Sequence, residues 1–393
     1  MMRIGIDGHV LGDHSGGNES YYRNILREMK IAPGDEVFLF IKPTAVWEDY
    51  MNKFHVVTFK QRKAVLRNFV ELTWLCIKYK LDVLHTQYFI PFIRPCPVVV
   101  TIHDICFEHY SNIFTRKEQL RQKLLIPYAA KRAAHIFTVS EHAKNDIAST
   151  YRLDRRKISV TYDAVNDNFK ELRPEPQKKD AISDNAPASD AGLKDMLMEK
   201  ELRSKFGLGN KPFILTVGNL QPRKNLPRLI RAFNSWKKKG GDASLVIVGK
   251  KAWMFNDIMK AAAGKAADII LTDYVSEEDL IRLYNAATCF IYPSFYEGFG
   301  IPPLEAMACG TPVAVANATS LPEVVGDAGL YFDPFNEKEI EASIEKLMRD
   351  DSLRKELIEK GFRQTSKFDW ARSSSIIYKT YHRFFGHPFR PEY

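Results

Sequence analysis

Glu297-Gly-Phe-Gly-Ile-Pro-Pro-Leu-Glu305 is the stretch from which the architecture is read. A short apolar run, Cys289–Tyr292, comes just before it. Its prolines suit the first turn of a helix, where a missing amide hydrogen costs little. A buried strand thus leads through two glycines into a helix start. Glycines at 298 and 300 let the backbone come close to a ligand. The helix start offers amide groups and partial positive charge to an anion or a hydroxyl. Glu297 in the loop and Glu305 one turn inside the helix could each grip a hydroxyl pair on a sugar. Taken singly, either reads better as a plain loop or helix-start charge; the whole pattern reverses that and favours a ligand.

The same alternation runs through the chain. Runs rich in Val, Ile and Phe, typical of strands covered on both faces, fall at Arg3–Asp7, Val37–Ile41, His55–Phe59, Asp82–His85, Pro97–Ile102, Ile136–Val139 and Ile158–Tyr162. Amphipathic stretches such as Ser20–Met29 and Lys123–Ala134 lie between them. Residues 173–200 begin with a Pro-, Asp- and Lys-rich run poor in large apolar side chains and read as a linker or mobile loop. Strands then resume at Phe213–Val217, Leu245–Val248, Ile269–Leu271, Cys289–Tyr292, Val313–Ala316 and Leu330–Phe332. This predicts two Rossmann-like, doubly wound α/β domains, residues 1–172 and 201–372, with a C-terminal helix at about 373–393 returning to the first. Ligands of such sheets bind at the carboxyl ends of strands.

Unusual residues sit at those ends. Val217-Gly-Asn-Leu-Gln-Pro-Arg-Lys-Asn-Leu226 follows a strand and opens a helix, so Arg223 and Lys224 are placed to neutralise a diphosphate. Gly16-Gly17 separates the first strand from the first helix and could admit a phosphate or a sugar, or be an ordinary loop. His103 ends a strongly apolar strand. It reads as a hydrogen-bond partner of a sugar hydroxyl, as a general base, or as half of a structural pair with Asp104. Ser140-Glu141 is a weaker candidate of the same kind. No Asp-x-Asp, Gly-x-Gly-x-x-Gly, Walker loop or Gly-x-Ser-x-Gly occurs, and the ten histidines show no metal-ligand spacing. No metal or other cofactor is expected.

Composition sets outer bounds. Apolar residues make up 45% and charged residues 27% of 393, ordinary for a globular protein. Neither a secretory signal nor a run long enough to span a bilayer is visible, and the five cysteines are scattered, which predicts a cytoplasmic protein with reduced thiols. The net charge of +9 is uneven: residues 1–170 hold 25 Lys and Arg against 18 Asp and Glu. Within Lys60–Lys80, Arg62, Lys63 and Arg67 lie beside Leu66, Phe69, Val70, Leu72 and Trp74. That mix suits an interfacial helix on the inner face of an anionic membrane, and equally a helix packed on its own sheet.

Together these motifs resemble the family-4 group of retaining glycosyltransferases, which have the GT-B fold of two such domains facing each other across a cleft. The Glu297…Glu305 pair matches the family's Glu-x7-Glu motif, joined by the Pro-Arg-Lys-Asn loop, Leu321-Pro-Glu-Val-Val and His103. The resemblance implies that Gly16 and Gly17 face the donor phosphates and that His103 approaches the donor sugar. It implies that Arg223 and Lys224 meet the leaving diphosphate. Glu297 and the amides of Phe299, Gly300 and Ile301 would hold sugar hydroxyls, Glu305 the ribose, and the backbone of Tyr274 and Val275 the base. Many members carry Arg where this chain has Asn219, so the charge here would rest on Arg223 and Lys224. The loop is similar to that of bacterial polysaccharide and O-antigen mannosyltransferases. This implies transfer of a hexose, mannose from GDP-mannose in the first instance, to a glycan or lipid-linked acceptor. Configuration would be retained and no metal used. A sugar-nucleotide sensor without turnover and a GT-B phosphorylase are the rivals. A nucleic-acid binder is disfavoured by the small charge excess and the lack of a recognition motif.

Overall fold

The computed structural model describes residues 1–13, 16–172, 199–251, 256–262 and 268–385. Residues 173–198 of the expected 173–200 linker and the last eight residues of the expected C-terminal helix lie outside them; residues 199 and 200 are helical. The chain divides into two compact units, Met1–Ala164 with the chain from Phe368 onward, and Val165–Lys367.

The first unit is built on seven strands: β1 (Arg3–Asp7), β2 (Glu36–Ile41), β3 (His55–Thr58), β4 (Val83–Gln87), β5 (Val98–Thr101), β6 (His135–Thr138) and β7 (Ile158–Val160). They run in the order β3-β2-β1-β4-β5-β6-β7, every pair parallel. The central strand β5 is buried along its length, which is why Val98–Val100 reads as an unbroken apolar run. The helix Trp370–Phe385 belongs to this unit. Its Ser374 hydroxyl donates to the Ile25 carbonyl at 2.8 Å, and Tyr381 meets the His85 imidazole at 2.6 Å.

The second unit holds β8 (Phe213–Val217), β9 (Ser244–Val248), β10 (Ile269–Asp273), β11 (Cys289–Tyr292), β12 (Val313–Ala316) and β13 (Gly329–Phe332), in the order β10-β9-β8-β11-β12-β13, again parallel throughout. The break in composition suggested a boundary at residue 172. The structure moves it to Ala164, because Val165–Leu172 already packs on the second unit: Phe169 lies edge-on to Tyr284, and the Leu172 amide donates to Asn285 at 2.7 Å.

Strand order reverses between β1 and β4 in one unit and between β8 and β11 in the other. At such a point the two connections leave in opposite directions and open a crevice beyond the strand ends. The loops after β8 and β11 carry the Arg223–Lys224 pair and Glu297. All five cysteines are buried with free thiols. Among the described residues no helix is long and apolar enough to cross a membrane.

Candidate active site

After β8 the chain makes a short 3-10 turn, Pro222–Lys224, and Asn225 adopts a left-handed conformation before the helix Leu226–Lys238 begins. The Asn225 amide group holds that corner by donating to the carbonyls of Pro293 and Pro334 at 3.1 and 2.6 Å. The loop is thereby fixed against the one that follows β11. In that second loop Gly300, at φ +106, caps the helix Ile301–Ala308, with Pro302 and Pro303 in its first turn. A β-carbon on Gly300 would sit 2.7 Å from the Leu321 side chain, so both backbone angle and space require glycine.

These loops bring three charged groups together. Glu297 is buried, and its Oε1 accepts from the Lys224 ammonium at 2.6 Å, the Ser294 hydroxyl at 2.6 Å and the Tyr292 hydroxyl at 2.9 Å. Its Oε2 accepts from the Arg223 guanidinium. Burial alone would raise the carboxyl pKa, but the two adjacent cations overcome it and hold the group down at about 2. Lys224 is buried too, with its ammonium 4.8 Å from the centre of the Tyr292 ring. The loop backbone is pinned from below: the Glu297 amide donates to Thr319 at 3.0 Å, and the Ser320 hydroxyl meets the carbonyls of Glu297 and Phe299.

Glu305 takes no part in that cluster's hydrogen bonds. It is half-buried and accepts from the Tyr284 hydroxyl at 2.9 Å. Burial lifts its pKa to about 7, with one hydrogen bond and no cation to offset it. Two glutamates eight residues apart therefore differ sharply: one is a fixed anion, the other changes charge near neutrality. Tyr274 is exposed with the Lys250 ammonium 4.4 Å over its ring, and Val275 is buried beside it. Asn219 is exposed at the strand tip.

In the first unit His103 lies just beyond β5. Its Nε2 is 2.6 Å from the Gln87 amide nitrogen at the end of β4. Burial lowers the imidazole pKa to about 3. At that pKa the ring is neutral near pH 7. The Asp104 carboxylate turns to the Cys106 amide at 2.9 Å. Ser140 caps the helix Glu141–Tyr151 by accepting from the Ala143 amide, a structural role. Gly16, at φ +73, precedes the helix Gly17–Glu28, and a β-carbon at either glycine would touch nothing within 4 Å.

Residues 198–364 match the model described as glycosyl transferases group 1, and residues 15–169 the model described as glycosyltransferase family 4. O-antigen chain mannosyltransferase B of Escherichia coli is 32% identical over 318 residues, 78% of this chain and 76% of that protein. The chain belongs to the group 1 and family 4 glycosyltransferases. A second relative of this glycosyltransferase, O-antigen chain mannosyltransferase RfbU of Salmonella typhimurium, is 30% identical over 70% of this chain and 68% of its own. The fold is GT-B. The structure of Anabaena Alr3699/HepE in complex with UDP-glucose matches with a TM-score of 0.71 at 18% identity, covering 98% of this chain and 100% of the other.

Sequence reasoning missed Tyr292, Ser294, Thr319 and Ser320 as builders of the glycosyltransferase site. A signal existed for the first two: Tyr292-Pro-Ser294 ends the otherwise apolar run Cys-Phe-Ile, and polar groups at a buried strand tip need partners. Among the described residues no group of three or more His, Cys, Asp or Glu is placed to hold a metal ion.

Proposed function

We propose that this glycosyltransferase moves a hexose from a sugar nucleotide to a glycan or lipid-linked acceptor in surface polysaccharide synthesis, with retention of configuration and without a metal. The observation that carries this is the buried Glu297 held by Arg223 and Lys224 at the ends of β8 and β11. A fixed carboxylate between two cations, beside a helix start, suits a sugar on one side and a diphosphate on the other.

In this reading a sugar hydroxyl adds to Glu297 Oε2, which has one protein donor against three on Oε1. Arg223 turns toward the diphosphate as negative charge develops there. The amides of Phe299, Gly300 and Ile301 face the remaining hydroxyls. Glu305 receives the ribose, the backbone of Tyr274 and Val275 the base, and Gly16 and Gly17 the donor phosphates. His103 forms a hydrogen bond with a sugar hydroxyl. The bond from the anomeric carbon to the diphosphate breaks as the bond to the acceptor oxygen forms. The acceptor proton passes to the departing phosphate oxygen, so no side-chain base is required.

The donor in this proposal is GDP-mannose. The named mannosyltransferases among the relatives and the form of the Pro-Arg-Lys-Asn loop support it. The test is calorimetry and transfer with a panel of sugar nucleotides in chelator. Saturable binding and transfer with GDP-mannose are expected. Transfer with UDP-glucose alone would replace the donor. Binding without transfer to any acceptor would favour the sensor, and strict dependence on Mg²⁺ would overturn the metal-free mechanism.

A further inference from the structure

Sixteen large apolar side chains are exposed among the described residues, and nine of them fall between Val65 and Leu124. They come from three segments of the first unit. The helical run from Ala64 to Lys78 buries Leu72, Leu75 and Cys76 against its own sheet. Its other face presents Val70, Trp74 and Ile77, four and three residues apart and so on one stripe. One face of the segment is thus packed on its own sheet, and the other is exposed.

The stripe does not end with the helix. Thr73 donates to the Ile93 carbonyl at 2.8 Å, and the Phe69 and Phe92 rings stack at 4.6 Å. Phe92 and Ile93 are exposed at 53% and 70%. On its far side Phe92 meets Tyr128 edge-on at 5.3 Å. Tyr128 shares a helix face with exposed Leu124 and Leu120, each four residues earlier. Ring contacts thus join the segments into one apolar surface.

Its borders are basic. Lys60, Arg62, Lys63, Lys78 and Lys80 are exposed on one side, and Arg116, Lys117, Arg121 and Lys123 on the other. The carboxylates in these stretches are occupied: Glu71 accepts from the amides of Lys60 and Gln61, and Glu118 closes a capping box with Thr115. Trp74 lies beneath the ammonium groups of Lys60 and Lys78 at 5.8 and 4.9 Å. We infer that this surface docks the protein on an anionic lipid bilayer, with the apolar side chains among the acyl chains and the cations at the headgroups. A second copy would set nine cations against the same nine, since a symmetric contact pairs a patch with itself. A nucleic acid would match the charge and leave the aliphatic side chains without a role. Only an anionic bilayer matches both features.

The surface lies within one unit, and its test uses no sugar nucleotide, so it fails or stands separately from the donor assignment. Partition of the full chain into phosphatidylcholine vesicles is compared with partition into phosphatidylcholine–phosphatidylglycerol vesicles. At least about tenfold stronger partition into the anionic vesicles is expected, falling as salt is raised. Ile77→Ser with Ile93→Ser, if it melts as the parent does, should lose about tenfold. Arg116→Glu with Lys117→Glu should remove the preference for anionic lipid. Equal partition into both vesicles, or an unchanged Ile77→Ser/Ile93→Ser variant, overturns the inference. So does a lipid-free dimer that the same serine pair dissolves.

Discussion

The Lys224 ammonium and the Glu297 carboxylate meet at 2.6 Å with both side chains buried. Neither charge has bulk water to fall back on, so each depends on the other. Removing one partner of a buried pair typically costs about 3–5 kcal/mol, because it strands the other charge. Lys224→Met should show a loss of that order in urea unfolding. Adding Glu297→Gln should restore part of it. An additive double variant would mean that the two charges are not coupled.

Gly300→Ala should destabilise by about 1–3 kcal/mol, for two reasons that add: a left-handed backbone and a β-carbon against Leu321. The same change shifts the amides of Phe299 and Ile301, so nucleotide affinity should fall with stability. Unaltered melting and affinity would show that the loop relaxes freely.

The two glutamates give stability opposite dependences on pH. The Glu297 pKa is lowered from 4.5 to about 2, so its stabilisation is present above 4.5 and lost as pH falls toward 2. The Glu305 pKa is raised from 4.5 to about 7, so its contribution is present below 4.5 and lost as pH rises through 7. At 1.36 kcal/mol per unit, that shift is worth at most about 3 kcal/mol. Melting of Glu305→Gln should match the parent near pH 4 and exceed it at pH 8. A constant difference across that range would contradict a raised pKa.

His103 stays neutral in the native protein, its pKa near 3 through burial. Its ring-proton resonances should not titrate between pH 5 and 8. A midpoint near 6.5 would contradict a pKa lowered by burial.

The thirteen strands among the described residues are all legible as mainly apolar runs, the central ones most plainly, because strands covered on both faces are largely apolar. Their ends are less so: the run Asp82–His85 becomes β4 at Val83–Gln87, since Thr86 and Gln87 are polar yet buried. The charged residues of the site are legible because Arg223, Lys224 and Glu297 follow strand tips. That Glu297 lies between the two cations is not, for the partners are 74 and 73 residues apart and are joined through the pairing of β8 with β11 and the contacts between the loops that follow them. The same holds for Gln87 and His103, joined by the neighbouring strands β4 and β5.

The central claim is that Glu297 acts on the donor sugar and Glu305 on the nucleotide. It is tested most directly by comparing Glu297→Gln with Glu305→Gln, each measured for nucleoside diphosphate affinity and for single-turnover transfer. Glu297→Gln should keep its affinity and lose about 10²–10³ in rate, because its hydrogen bonds strengthen as positive charge builds on the ring. Glu305→Gln should lose affinity first. Normal turnover by a folded Glu297→Gln variant would contradict the account.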